Sequence, residues 1–269
     1  RGSAHTILSE NIMGGMCARV CPTEILCEEA CVRNSQEEKP VEIGLLQRYA
    51  TDPIFEDNTQ LFQRAESSGK KIAIVGGGPA GLSCAHRLAV LGNDVVIFNR
   101  DKKAAGLNEY GIAAYKTIDD FAQTEVDYIL SIGGIEMRND SPLEVASGLA
   151  ELSKEFDAVF LGVGLALSNQ LGIEGEDLDG VENAIEYIAE LRQAEDKSQL
   201  PVGGNVVVIG GGMTAIDVAV QSKRLGAKQV HMVYRRGPEQ ISASAFEQAL
   251  AQTSGVTLHY HASPERIIG

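Results

Sequence analysis

The sequence is short of positive charge. Its 269 residues carry 23 lysines and arginines against 37 aspartates and glutamates, for a net charge of −14 and a pI near 4.8. That balance argues against a nucleic-acid backbone or an anionic membrane surface as partner, and leaves room only for a local basic cluster facing a phosphate. No apolar run approaches the roughly 20 residues of a membrane span. The start, Arg1-Gly2-Ser3-Ala4-His5, has neither an initiator methionine nor a secretory apolar region, so a cytoplasmic location is expected and the chain is read as a fragment of a longer protein. Five histidines (His5, His86, His231, His259 and His261) show no ligand spacing with the cysteines, and no Ser/His/Asp arrangement stands out. No catalytic side chain is predicted.

What is present is glycine, 29 residues of it, much of it at the ends of apolar runs. The chain is organised around Lys71-Ile72-Ala73-Ile74-Val75-Gly76-Gly77-Gly78-Pro79-Ala80-Gly81-Leu82. A buried strand runs into a tight turn, and a helical pattern follows. The plan recurs 134 residues later, where Asn205-Val206-Val207-Val208-Ile209 leads into Gly210-Gly211-Gly212-Met213-Thr214-Ala215. A lone G-x-G-x-x-G is a weak signal, but each copy here follows an apolar strand and opens a helix. The first glycine (Gly76, Gly210) permits the turn, the second (Gly78, Gly212) lets backbone approach a pyrophosphate, and the third small residue (Gly81, Ala215) lets helix pack on strand. The helix N-terminus then offers free N–H groups to the anion. Two such units in one chain point to two dinucleotides.

What ends the second strand of each unit distinguishes the two. An acidic residue there binds ribose hydroxyls, and basic residues accommodate a 2′-phosphate. The second unit has Arg235-Arg236 after Tyr234, which favours NADPH over NADH. The first unit has Asn99, which can give and take one hydrogen bond each and is expected to touch a ribose.

Four of the five cysteines crowd into one stretch, Cys17, Cys21, Cys27 and Cys31, while Cys84 reads as a small core residue. Several thiolates converging from a short loop suit an iron–sulfur cluster. Zinc and structural or reactive thiols are the alternatives.

Strands alternate with helices from residue 70 onward, at 71–75, 95–98, 135–137, 158–161, 205–209, 229–234 and 256–260, with helices at 79–91, 118–132, 143–155, 183–194, 214–225 and 244–253. This predicts an α/β fold of two Rossmann-like units with parallel sheets, behind a small helical segment whose second helix starts near Pro40. Domain boundaries are expected near residue 68 and between residues 166 and 167.

Together, Cys17-Ala-Arg-Val-Cys21-Pro22, Cys27-Glu-Glu-Ala-Cys31, Ile43-Gly-Leu-Leu-Gln47-Arg48, the two glycine turns, Gly106-Leu-Asn-Glu-Tyr-Gly-Ile112 and Tyr234-Arg-Arg236 resemble a known family. It is the NAD(P)H-oxidising, FAD- and iron–sulfur-containing family of the glutamate synthase small subunit and dihydropyrimidine dehydrogenase, and the likeness is strongest to the small, electron-input type of subunit in the bacterial dihydropyrimidine dehydrogenases. The resemblance implies FAD at Gly76, Gly78, Pro79, Ala80 and Gly81, with Gly106, Leu107 and Lys116 along the flavin, and NADPH or NADH at Gly210–Ala215. It implies [4Fe–4S] clusters in the full-length protein, one drawing on Cys21, Cys27 and Gln47 and the other on Cys31, with the remaining ligands upstream of residue 1 and a closing flavin segment beyond residue 269. Cys17 matches no ligand position, and Ala105 stands where the family usually has glycine. Electrons would pass to a larger catalytic subunit, either a pyrimidine-reducing FMN/iron–sulfur type or the glutamate synthase large subunit. A chain lacking both ends is also readable as a non-catalytic NADPH-binding or assembly module.

Overall fold

The computed structural model describes residues 1–269 except Glu38, residues 144–147 and residues 166–167. The expected boundary between 166 and 167, and part of the expected helix 143–155, therefore lie outside the described residues. By internal contacts the chain forms two compact units, residues 1–109 with 116–166, and residues 110–115 with 167–269.

The first unit opens with helices α1 (Gly2–Glu10), α2 (Gly14–Val20), α3 (Asn34–Glu37) and α4 (Ile43–Glu56). It continues as β1 (Lys71–Val75), α5 (Pro79–Val90), β2 (Asp94–Phe98), α6 (Leu107–Tyr110, its last residue counted with the second unit), α7 (Phe121–Leu130), β3 (Ile135–Arg138), α8 (Gly148–Glu155) and β4 (Ala158–Leu161). The strands form one parallel sheet in the order β3-β2-β1-β4. Because β1 has β2 on one side and β4 on the other, the chain reverses its winding direction there. A crevice at the carboxyl ends of the central strands is the consequence, and open α/β sheets place ligands in such crevices.

The second unit contains α9 (Ala184–Gln193), β5 (Asn205–Ile209), α10 (Met213–Arg224), β6 (Gln229–Tyr234), α11 (Ala245–Thr253) and β7 (Val256–Tyr260). Its parallel sheet has the order β5-β6-β7. Local chemistry sets the helix starts: Asn183 caps α9 by accepting from the Ile185 N–H, and Ser244 caps α11 by accepting from the Glu247 N–H. Residues 110–115 dock on α10 within this unit. The Tyr115 hydroxyl donates to Asp217 Oδ1 at 2.8 Å, the Ala114 N–H donates to Gln221 Oε1 at 2.9 Å, and the Arg224 guanidinium lies 4.2 Å from the centre of the Tyr115 ring.

The helical segment has no separate core. Ala4, Leu8, Met16, Ile54 and Phe55 are buried in the same cluster as Ile74, Leu82, Val95, Ile97, Val126 and Tyr128 of the sheet and its helices. Phe55 meets Phe121 and Tyr128 edge-on, at centroid distances of 5.3 and 5.2 Å. Each such pair contributes about 1 kcal/mol beyond its burial. This packing explains why α4 continues to Glu56 through Pro53, where the polar text after residue 50 reads as a crossing segment.

Two buried features hold strain. Glu125 on α7 is 0 % exposed and accepts the Met16 N–H at 3.0 Å, so it caps α2 from 109 residues away. Its Oε2 has no hydrogen-bond partner among the described residues. Burial pushes its carboxyl up to about 8, against the opposing pull of the Met16 and Gly15 amides and Arg19. Ala105 is also fully buried, with φ at +91°, and its N–H donates to the Gly77 carbonyl at 2.7 Å.

Below its ordinary value of 4.5, Glu125 is protonated whether the chain is folded or not; between there and about pH 8 only the folded chain keeps the proton. Stability should therefore fall as pH rises across that window, by on the order of 5 kcal/mol. Glu125→Gln keeps an oxygen for the Met16 amide and cannot ionise, so denaturant unfolding of this variant at about pH 5 and about pH 9 should show the slope flattened. Ala105→Gly should raise unfolding stability by about 1 kcal/mol, because it removes a β-carbon from a left-handed backbone position.

Candidate functional site

In the first unit the site is built from backbone. The Gly76 N–H donates to the Phe98 carbonyl at 2.8 Å, and the Gly162 N–H donates to Val75 at 2.8 Å, so β1 ends clamped between its neighbours. Gly76 has φ of +108°, and a β-carbon on it would meet the Gly162 oxygen at 2.3 Å. A β-carbon on Gly81 would meet the Gly76 oxygen at 1.9 Å. No larger residue fits at either position without moving helix from strand. Gly78 is the N-cap of α5 and offers no side-chain cap, Pro79 begins the helix, and Pro79 and Ala80 are exposed. The first intrahelical bond runs from Leu82 N to the Gly78 oxygen, so the Ala80 and Gly81 amides precede the ladder. This is an uncapped, solvent-facing helix start, the cradle an anionic diphosphate needs.

Gly106 sits directly against that turn: a β-carbon on it would lie 2.9 Å from the Gly78 α-carbon. Leu107 follows at 57 % exposure, and Lys116 is half-buried. Only residues 106–109 of the Gly106–Ile112 loop belong to the first unit, since 110–115 join the second. Asn99, the expected ribose contact, is 4 % exposed, and its amide is hydrogen-bonded within the protein. Its Oδ1 accepts the Gly77 N–H at 3.3 Å, and its Nδ2 is shared among Asp101 O, Lys103 O and Asn139 Oδ1, each at 2.9 Å. Both donor hydrogens are thus committed internally, and Asn99 braces the glycine turn.

The second turn is similar in plan and looser in detail. Gly212 is the N-cap of α10 without a side-chain cap, Thr214 is exposed, and Met213 is partly so. A β-carbon on Gly210 would touch only the Ala215 methyl, at 3.3 Å, so this helix stands farther from its strand. The Tyr234 ring covers Gly211, whose β-carbon position is 2.4 Å from the ring. The Gly211 carbonyl accepts from the Ser242 and Ala243 amides at 3.1 and 3.0 Å, which holds the loop after β6 beside the turn. Arg235 and Arg236 lie at the end of β6, exposed, and neither forms an ion pair among the described residues. Two free guanidiniums beside an uncapped helix start match a phosphate monoester.

The cysteine stretch wraps from the end of α2 to the start of α4. All five cysteines are free thiols. Cys17 and Cys21 have sulfurs 3.4 Å apart, Cys27 is exposed, and Cys31 Sγ accepts the Val41 N–H at 3.5 Å. The hydrogen bond from Cys17 pulls the Cys21 thiol down to about 7, against burial and the nearby Cys27, while the same contact and burial drive Cys17 up. The Val41 amide, then Arg33, lower Cys31. Gln47 lies in α4, partly buried. Among the described residues no group of three or more His, Cys, Asp or Glu side chains converges on a metal position. Cys21, Cys27, Cys31 and Gln47 do not form a closed ligand set among the described residues. Their thiols fit a cluster in chemistry, with two of them held toward the thiolate form. Sequence reasoning missed Glu125 and the Cys17–Cys21 contact, which only the three-dimensional arrangement reveals.

Residues 70–269 match the family described as pyridine nucleotide-disulphide oxidoreductase, and residues 1–59 match the dihydropyrimidine dehydrogenase domain II, 4Fe-4S cluster. The chain is 34 % identical over 271 residues to the NAD-dependent dihydropyrimidine dehydrogenase subunit PreT of Salmonella typhimurium, covering 100 % of this chain and 64 % of that protein. It is 38 % identical over 263 residues to the glutamate synthase [NADPH] small chain of Escherichia coli, covering 94 % of this chain and 55 % of the relative. It thus spans less than two thirds of the length of either. Among solved structures, Mycobacterium tuberculosis FprA in complex with NADPH superposes with a TM-score of 0.61 at 20 % identity, over 74 % of this chain and 61 % of FprA, a likeness of fold. No helix among the described residues is long and apolar enough to cross a membrane. With two uncapped glycine turns on parallel sheets and a matched N-terminal cysteine segment, the chain belongs to the pyridine nucleotide-disulphide oxidoreductase family, in the branch that carries a 4Fe-4S segment ahead of it.

Proposed function

We propose that this chain belongs to an electron-input subunit whose residues would hold FAD, NADPH or NADH and part of the ligand set of [4Fe–4S] clusters; the flavin would supply the conversion of a two-electron donor to one-electron carriers, and the electrons would serve a larger partner reductase. The observation that carries the reading is the pair of uncapped glycine turns, one in each unit, behind the cysteine stretch. Residues 1–68 would serve the clusters, 69–166 FAD and 167–269 the nicotinamide cofactor. Gly76, Gly78, Pro79, Ala80 and Gly81 would cradle the FAD pyrophosphate, with Gly106, Leu107 and Lys116 along the flavin. Gly210 to Ala215 would cradle the other pyrophosphate, and Arg235 and Arg236 would read its 2′-phosphate. Cys21, Cys27 and Gln47 would ligate one cluster and Cys31 another, together with ligands from outside this chain.

The protein's own work is binding and orientation. Hydride transfer between two rings needs no side-chain acid or base, in keeping with the absence of a predicted catalytic residue. Asn99 supports the first turn from inside. The PreT relative favours a pyrimidine-reducing partner, and the higher identity to the glutamate synthase small chain keeps a glutamine-using partner as the second reading.

Affinity capture of the full-length protein from its native host should recover a pyrimidine-reducing subunit; a glutamate synthase large subunit in its place would select the second reading. A full-length protein without the visible bands of oxidised flavin would refute both. Replacing Arg235 and Arg236 with glutamine should weaken NADPH by ~10-fold or more and NADH little, since charge-assisted phosphate contacts are each worth about 1.5–3 kcal/mol. Equal losses for both nucleotides, measured by titration, would remove the arginines from 2′-phosphate recognition.

A further inference from the structure

Cys17 is the cysteine that neither a core nor a ligand role absorbs. Its sulfur lies 3.4 Å from that of Cys21. Among the described residues no other pair of cysteines makes such a contact. We propose that Cys17 is the resolving partner of Cys21: in the cluster-free protein the two join as an intramolecular disulfide that withholds Cys21 from iron until it is reduced. The withholding role rests on the cluster assignment above; the disulfide itself does not.

The geometry favours the bond. Residues four apart on a helix have α-carbons about 6 Å apart, inside the roughly 4.4–6.8 Å that disulfides tolerate. Bond formation needs the sulfurs to close from 3.4 Å by about 1.4 Å. Cys21 is the C-cap of α2, with extended backbone at φ −67° and ψ 134°, so the closing movement falls on the helix end rather than on an interior turn. Both residues are partly exposed, so a small oxidant reaches them. Cys31 is held differently, its sulfur accepting the Val41 amide.

The chemistry balances with a low-molecular-weight disulfide such as glutathione disulfide as oxidant. The Cys21 thiolate attacks one sulfur of that disulfide, forming a mixed disulfide and expelling one thiol. The Cys17 thiolate then attacks Cys21 Sγ, forming the Cys17–Cys21 bond and expelling the second thiol. Two protein thiols are oxidised, one external disulfide becomes two thiols, and the two protein protons end on the products. The bond also shields a ligand thiol from irreversible oxidation to the sulfinic acid.

Trypsin provides the readout, because Arg19 lies between the two cysteines. Full-length protein stripped of iron is treated with glutathione disulfide, alkylated and digested. The expected result is a crosslink between peptides Gly2–Arg19 and Val20–Arg33, broken by dithiothreitol, with fragment ions placing it at Cys21. Cys17→Ser should lose the crosslink and retain glutathione on Val20–Arg33 instead. Recovery of Gly2–Arg19 with Cys17 alkylated after oxidation would overturn the proposal, as would a crosslink placed at Cys27 or Cys31. In parallel, iron and sulfide uptake is measured on oxidised and reduced protein. The oxidised wild type should take up no more than the iron of the Cys31 cluster until it is reduced, and reduced Cys17→Ser should take up as much as reduced wild type; equal uptake by oxidised and reduced wild type would refute the withholding role. Loss of iron in reduced Cys17→Ser would make Cys17 a ligand and refute the resolving role. Failure of reduced wild type to take up any iron would instead refute the cluster assignment, and the withholding role with it, while the crosslink would still be read.

Discussion

At the end of β1 the backbone runs against itself. The Gly76 oxygen occupies the space where Gly81 would carry a side chain, and the Gly162 oxygen occupies the corresponding space at Gly76. Three chain segments, the strand end, the first turn of α5 and the loop after β4, share a volume with no room for one methyl group. That closeness places the start of α5 at the carboxyl edge of the sheet with its amides facing outward. A methyl group at Gly81 would push the helix from the strand and carry the anion cradle with it. The neighbouring features reinforce the same point: Ala105 donates to Gly77, Asn99 accepts from Gly77, and Gly106 packs on Gly78. The polar groups of Asn99 are spent on holding the turn in shape.

The helical segment is tied to this unit by a different device. Gly15 lies so close to Phe55, Phe121 and Glu125 that a β-carbon would stand 2.6, 2.7 and 2.9 Å from them. The gap lets a buried carboxyl reach the amides at the start of α2, which the helical ladder leaves without a partner. A protonated carboxyl can accept those amides without the desolvation cost of a full charge, and burial favours that form. The cysteine stretch begins on the same helix, so its position depends on a residue in α7 and on the aromatic contacts of Phe55.

Much of the fold was legible in the sequence. Strands 71–75, 158–161, 205–209, 229–234 and 256–260 have the bounds expected of them, because apolar runs rich in β-branched residues end at glycine or polar turns. The end of helix α4 is not legible because the pattern after Tyr49 is polar, while the burial of Ile54 and Phe55 against residues some seventy positions away decides its length. The same long range hides Glu125, which reads as one polar residue on an amphipathic helix until α2 is placed against it. The internal bonds of Asn99 are equally hidden in the sequence. Its position in the motif is that of a ribose contact, but an amide can satisfy its neighbours' backbone groups in a way a carboxylate, with no donor, cannot. Cys17 was counted among its neighbours by spacing, and only the turn of α2 pairs its sulfur with that of Cys21.

The two glycine turns differ in a way that follows from what each is proposed to hold. The first is closed by backbone on backbone and braced by the buried Asn99 amide, and the start of α5 is left uncapped. Such a site is preorganised and costs little to order, which suits a cofactor that stays bound. The second leaves more room between helix and strand and places two unpaired arginines in solvent. Their charges are screened and hydrated before a ligand arrives, so they add selectivity for a phosphate at modest cost and release it readily. A nicotinamide cofactor has to leave once it has given up its hydride. On a protein with a net charge of −14, an anionic ligand is repelled at long range, and the local guanidinium pair is what makes this edge of the second sheet approachable.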